Sequence, residues 1–212
     1  MTCPGWGQLA SCAAFAVTAP GPQPEEETAT RFLPLFPLRI VVFPGELVFL
    51  HIFEPRYKQL IRESAENGIT FGIVTVVPGG ASSIGTEMEL DSILRTHSSG
   101  NMDIAVRGTR TFTLKRFQRV VEGKLYSGGQ VSFNENNPRV ETETQHKLVE
   151  LFNTMQFGAG SGKRIVKPYP DNLSFVIGHD MGLSQAQQLQ LLTIPVEQDR
   201  QSYLLQQLLR LP

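Results

Sequence analysis

The sequence predicts an α+β fold: a small β-barrel over residues 31–135 carrying one inserted helix, followed by a C-terminal helical subdomain over 138–212, packed on or beside it. Three observations predict it. From Phe71 to Phe133 apolar residues recur at every second position, as in Met102, Ile104 and Val106 against Asp103, Ala105 and Arg107, which is the spacing of strands. The period lengthens to that of a helix at Tyr57, Leu60, Ile61 and Ala65, and again at Leu148, Leu151, Phe152 and Met155. Between the short β-runs stand Pro78-Gly79-Gly80, Ser98-Ser99-Gly100-Asn101, Gly108 and Gly128-Gly129, the punctuation of a sheet that curls into a barrel.

Residues 1–30 are expected to be a disordered leader. Pro20-Gly21-Pro22-Gln23-Pro24 and Glu25-Glu26-Glu27 offer too little apolar area to offset the entropy of ordering. Leu9 to Ala19 imitates the core of a secretory signal, and Leu9-Ala10-Ser11-Cys12 a lipoprotein cleavage box. No Lys or Arg precedes Arg31, so the basic start of such a signal is missing.

Phe32 to Phe43 then reads as an extended strand ending in a turn at Pro44-Gly45, because Pro fixes φ and Gly tolerates positive φ. Leu47 to Phe53 is a second strand. Pro55 opens the inserted helix at its first position, where a missing N–H costs nothing, and Asn67-Gly68 stops it. After Asn134 to Pro138 come the helix of Leu148 and a loop at Gly158 to Gly162. Three shorter helices close the chain: one from Asp171-Asn172 to Gly182, one opened by Ser184 and Gln187 as a capping box, and one after Pro195 with a stripe of Val196, Tyr203, Leu204, Leu208 and Leu211.

The 212 residues, 41% hydrophobic and 18% charged, suffice for a genuine core, and 19 basic against 20 acidic side chains leave no global field to recruit nucleic acid or anionic lipid. The longest apolar runs fall short of the roughly 20 residues of a membrane helix, so no membrane association is expected. The two cysteines, Cys3 and Cys12, lie outside every core segment and brace nothing, which fits a reducing, cytoplasmic setting.

Leu33-Pro34-Leu35-Phe36-Pro37-Leu38, then Val42-Phe43-Pro44-Gly45, then Leu50-His51-Ile52-Phe53-Glu54-Pro55-Arg56-Tyr57 resemble the opening of the N-terminal substrate-binding domain of Lon-type proteases. Phe71-Gly72-Ile73-Val74, Ile84-Gly85-Thr86, Gly108 ahead of Phe112, and a leucine-rich tail containing Arg200 extend the resemblance over roughly residues 32–211. One departure is Thr111-Phe112 where many relatives carry Arg-Phe, so any role of that arginine is in doubt here. The resemblance implies a PUA-like β-barrel followed by helices, and a non-catalytic protein that recognises unfolded or extended polypeptide segments. An adaptor role in protein quality control, with a protease acting in trans, is compatible with it.

Within the signature, Pro44, Gly45 and Pro55 are expected to shape the backbone, Phe53 and Tyr57 to pack in the core, Glu54 and Arg56 to cap the helix or pair locally, and His51 to be a buried, hydrogen-bonded imidazole. The alternative reading is RNA binding, since Arg107, Arg110, Lys115, Arg116, Arg119 and Lys124 accumulate around a single acid, Glu122. Alternation of strand faces would disperse these charges, and no run of exposed aromatics interleaves with them, as stacking on bases would favour.

No catalytic residue, cofactor or metal site is expected. Gly158-Ala159-Gly160-Ser161-Gly162-Lys163-Arg164 imitates a phosphate loop but has three residues between the glycines where four are needed, and Arg where Ser or Thr should follow Lys. No G-x-S-x-G elbow occurs. His51, His97, His146 and His179 are scattered, no pair having zinc-site spacing. Glu87, Glu89 and Asp91, at alternate positions, are expected to share one strand face, a geometry that could bind a cation but is more often a solvated edge.

Overall fold

A computed structural model describes residues 30–158 and 172–210. Six strands form one mixed sheet: β1 (Arg31–Leu38), β2 (Leu47–Ile52), β3 (Phe71–Val77), β4 (Gly80–Thr96), β5 (Met102–Gln118) and β6 (Ser127–Phe133). Five helices accompany it: α1 (Pro55–Asn67), α2 (Thr142–Gly158), α3 (Leu173–Asp180), α4 (Gln185–Thr193) and α5 (Glu197–Leu208). The α+β reading therefore holds, with one helix inserted among the strands and the rest after them.

The order across the sheet is β2-β5-β4-β3-β1-β6, and β6 also pairs with β5, so the sheet curls back toward itself. Strand β5 makes this possible by changing partners along its length. Its first part, Met102 to Arg107, lies against β2, and its last part, Phe112 to Gln118, lies against β6. β1 divides likewise, antiparallel to β6 through Arg31–Leu35 and parallel to β3 through Leu35–Leu38. Among the described residues β2 pairs with β5 alone and is left as an edge.

Helix α1 fills one side of the curl. Tyr57, Leu60 and Ile61 are buried among Phe36, Phe71, Ile73, Met88, Ile104 and Val106, and the Tyr57 ring stacks on Phe36 with centroids 3.7 Å apart. Pro55 begins the helix and Gly68 ends it in the left-handed conformation, φ 64°, as the local chemistry dictates. Phe112 fills a second core cluster with Leu33, Leu35, Val74 and Val131. Its ring occupies the space left by two glycines: a Cβ on Gly72 would stand 2.6 Å from Phe112 Cζ, and one on Gly85 2.5 Å from the same atom. The Gly72, Gly85 and Phe112 matches in the sequence are thus one packing arrangement.

The helical layer packs on the sheet through Phe43 and Ile84, which are buried with Leu148, Phe152, Phe175, Leu191, Leu204 and Leu208. Phe43 stacks on Phe175 of α3 with centroids 5.4 Å apart. Ser184 and Gln187 form the reciprocal capping box at the start of α4.

Three local readings are corrected. Gly108 is no boundary but lies inside β5, where the Phe43 carbonyl leaves no room for a Cβ, and Gly128-Gly129 lie inside β6. Bulges between Thr86 and Met88 and between Leu90 and Ser92 break the alternation of the acidic run. Glu87 is consequently buried, at 4% exposure, and accepts from Thr70 Oγ1 (2.7 Å) and Arg110 Nε (2.7 Å). The leader over residues 1–29, both cysteines, and the phosphate-loop imitation beyond Gly158 fall outside the described residues.

Candidate functional site

The signature residues are divided between two places. Pro44 and Gly45 turn the chain beneath the helical layer: Gly45 (φ 84°) donates its N–H to Gly108 O at 2.8 Å, and Gly108 returns one to Glu46 O at 2.9 Å. Glu46 in turn takes the Phe43 N–H (2.9 Å) and faces His179 Nδ1 of α3 at 3.2 Å. The other signature residues gather at the end of β2 and the start of α1.

There, two expectations fail. Phe53, expected in the core, is 61% exposed. It follows Ile52, whose side chain takes the inward position, and the next place on an alternating strand points out. His51 is exposed for the same reason, its imidazole Nδ1 meeting Asp103 Oδ1 at 2.5 Å. Glu54 and Arg56 pair locally, at 2.7 Å. Tyr57 is buried as expected, its burial pushing the hydroxyl pKa up while the Arg56 guanidinium covers the ring face at 4.6 Å.

The outward row of β2 is therefore Leu47, Phe49 and His51, continued by Phe53, and three of these are large apolar side chains at 38%, 65% and 61% exposure. Register sets them beside Arg107, Ala105 and Asp103 of β5. Leu94, at 57%, adds a further exposed apolar side chain on β4. Beyond β2 the sheet ends, with its backbone edge unpaired among the described residues.

At the end of the row, residues distant in sequence converge. His97 Nε2 meets the second oxygen of Asp103 at 2.7 Å, so one carboxylate is shared by two imidazoles. Their hydrogen bonds, that of His51 foremost, hold the Asp103 carboxyl below the usual carboxylate range. The expectation that the histidines are scattered is thus corrected: β2–β5 pairing and the β4–β5 hairpin bring two of them within reach of one acid.

Three of the six basic residues of the alternative reading are held in separate ion pairs. Arg107 pairs with Asp91 at 3.1 Å, Arg110 with the buried Glu87 while lying over the Phe133 ring, and Lys124 with Glu63 of α1 at 2.8 Å. Lys115, Arg116 and Arg119 remain exposed near the end of β5. Lys115 lines, with Arg110, Phe133, Asn136 and Arg200, a cleft of about 600 Å³ between sheet and helices.

Beneath that cleft lies an arrangement that sequence reading missed. Arg200, 2% exposed, spends all five N–H donors internally: Nε on Ser174 Oγ (2.9 Å), Nη1 on Ile194 O (2.8 Å) and Pro195 O (3.2 Å), Nη2 on Asn136 Oδ1 (2.7 Å) and Glu197 Oε2 (2.8 Å). Glu197 also accepts from Ser174 N at 2.9 Å. The i, i+3 spacing of Glu197 and Arg200 was the available signal, but their burial was not readable.

Residues 32–210 match the family of the ATP-dependent protease La (LON) substrate-binding domain. The chain belongs to the Lon substrate-binding domain family. Its fold is similar to the crystal structure of a Lon N-terminal domain protein from Xanthomonas campestris, with 27% identity and TM-score 0.67 over 86% of this chain and 99% of that one. The N-terminal domain of a Mycobacterium avium complex Lon protease shares the fold at 16% identity and TM-score 0.68, over 85% and 99%. Among curated proteins no relative matches. In this Lon substrate-binding fold no described helix is long and apolar enough to cross a membrane.

Proposed function

We propose that this chain recognises extended polypeptide segments, which lie along the free edge of β2. The observation that carries the reading is that edge: a strand paired, among the described residues, on one side only, beside an exposed row of Leu47, Phe49 and Phe53. An extended segment added there gains main-chain hydrogen bonds from the edge and apolar contact from the row. Left open, the same features invite unspecific pairing. Membership of a family described by substrate binding supports the reading.

In this reading the protein is a non-catalytic binder, working in the cytoplasm as an adaptor that presents clients to a protease in trans. The dispersal of Arg107, Arg110 and Lys124 into separate ion pairs weighs against a nucleic-acid face.

The test titrates a labelled unfolded polypeptide and a labelled single-stranded RNA with the purified chain at two salt concentrations. Saturable, salt-tolerant polypeptide binding, weakened at least tenfold by the double substitution Phe49→Asp and Phe53→Asp, is expected. Binding of RNA alone, falling steeply with salt, would replace the reading. Peptide cleavage or ATP turnover abolished by one substitution in this chain would end its non-catalytic part.

A further inference from the structure

The His51, His97 and Asp103 cluster is unexplained by polypeptide binding, and its donors are those of a metal site. We infer that these three residues bind a divalent transition-metal ion of the zinc class. One ligand atom from each of His51, His97 and Asp103 lies within 4.8 Å of the other two, and the two contacts to the carboxylate are made by His51 Nδ1 and His97 Nε2. Two imidazoles and one carboxylate on one side of an ion, with the remaining positions open, suit zinc and its first-row neighbours better than magnesium or calcium, which prefer all-oxygen shells.

The scaffold holds the donors in advance. His51 and Asp103 are direct partners across β2 and β5, so their side chains leave the same face of the sheet. His97 stands at the base of the β4–β5 hairpin, where its N–H donates to Asn101 O at 2.8 Å and its carbonyl accepts from Gly100 N at 2.9 Å. Gly100, at φ 74°, makes that tight turn possible.

Donor separations of 2.5 and 2.7 Å across the carboxylate are those of hydrogen bonds. Around a tetrahedral ion with bonds of about 2.0–2.2 Å the donors stand roughly 3.3–3.6 Å apart. Widening the two carboxylate contacts by about 1 Å, within a cluster whose ligand atoms already lie within 4.8 Å of one another, is rotamer adjustment in one exposed and two half-buried side chains. When Nδ1 of His51 turns its lone pair to the ion, its proton moves to Nε2. Asn101, whose side-chain amide stands 3.5 Å from Nε2, can present its oxygen to that N–H and orient the ring. The neighbouring cations are Arg95, register partner of Asp103 on β4, and Lys58, whose Nζ donates to Ser99 O at 3.3 Å. Neither is ion-paired with Asp103, whose two oxygens are occupied by the imidazoles that become ligands.

The inference is independent of the polypeptide reading, since a chain that binds polypeptide but no zinc keeps the first and loses the second. The experiment uses the full chain with Cys3→Ser and Cys12→Ser, so that no thiol competes, and titrates it with zinc against a chromophoric chelator. One zinc per chain is expected, with affinity falling at least tenfold in each of His51→Ala, His97→Ala and Asp103→Asn, and unchanged in His179→Ala. Zinc should also raise the melting temperature of the parent but not of the three variants, whose own melting temperatures show whether they are folded. An absence of 1:1 binding, or affinity and thermal shift preserved in the three variants, overturns the inference.

Discussion

Two regions of the molecule treat their polar groups in opposite ways. At the helical junction, Arg200 and Glu197 are turned inward and the guanidinium finds a partner for every N–H within the chain. Along β2, a backbone edge unpaired among the described residues, two aromatic rings and a shared carboxylate face outward. The junction is a finished structure whose charges hold α3, α5 and the β6–α2 connection together. The β2 region is an unfinished one, folded but still offering bonds.

That contrast gives predictions of graded size. The largest effect belongs to Arg200→Ala, which strands the Glu197 carboxylate in the interior and should cost about 3–5 kcal/mol in urea unfolding. A loss below about 1 kcal/mol would mean that the junction is not closed as described. Gly85→Ala comes next: the new methyl meets the Ile73 carbonyl and the Phe112 ring, each at 2.5 Å, and should cost about 1–3 kcal/mol.

A smaller effect is expected on acidification. Hydrogen bonds from Lys124 and Tyr126 hold the Glu63 carboxyl below its ordinary value of 4.5. Because the folded-state pKa is the lower one, the contribution is present above that value and lost as pH falls through and below it. Urea midpoints from pH 6 to pH 3 should therefore fall less steeply in Glu63→Gln than in the parent. The smallest effect on stability belongs to Phe49→Ser, within about 0.5 kcal/mol. The same change should weaken polypeptide binding, and a large loss of stability would show that the outward row is part of the core after all.

Features fixed by neighbouring residues were legible in the sequence. Pro55 and Gly68 bound α1, Ser184 and Gln187 cap α4, and the alternation over 71–133 marks the strands. What depends on register was not. Phe53 reads as a core aromatic until Ile52 is known to take the inward position. His51 and Asp103 meet only because β2 pairs with β5 in one alignment, and single-residue bulges sank Glu87 into the interior. The motif supplied the family, whereas the candidate site lies where partners far apart in sequence are brought together.

The divided pairing of β1 carries a consequence for how the molecule is made. Among the described residues its first half has no hydrogen-bonding strand until Ser127–Val131 exists, although β3 can take its second half much earlier. During synthesis the earliest strand must wait, half satisfied, while nearly a hundred further residues emerge. Contacts of such separation slow folding and prolong the exposure of apolar segments. A protein with this topology spends part of its own birth in an extended, unsatisfied state.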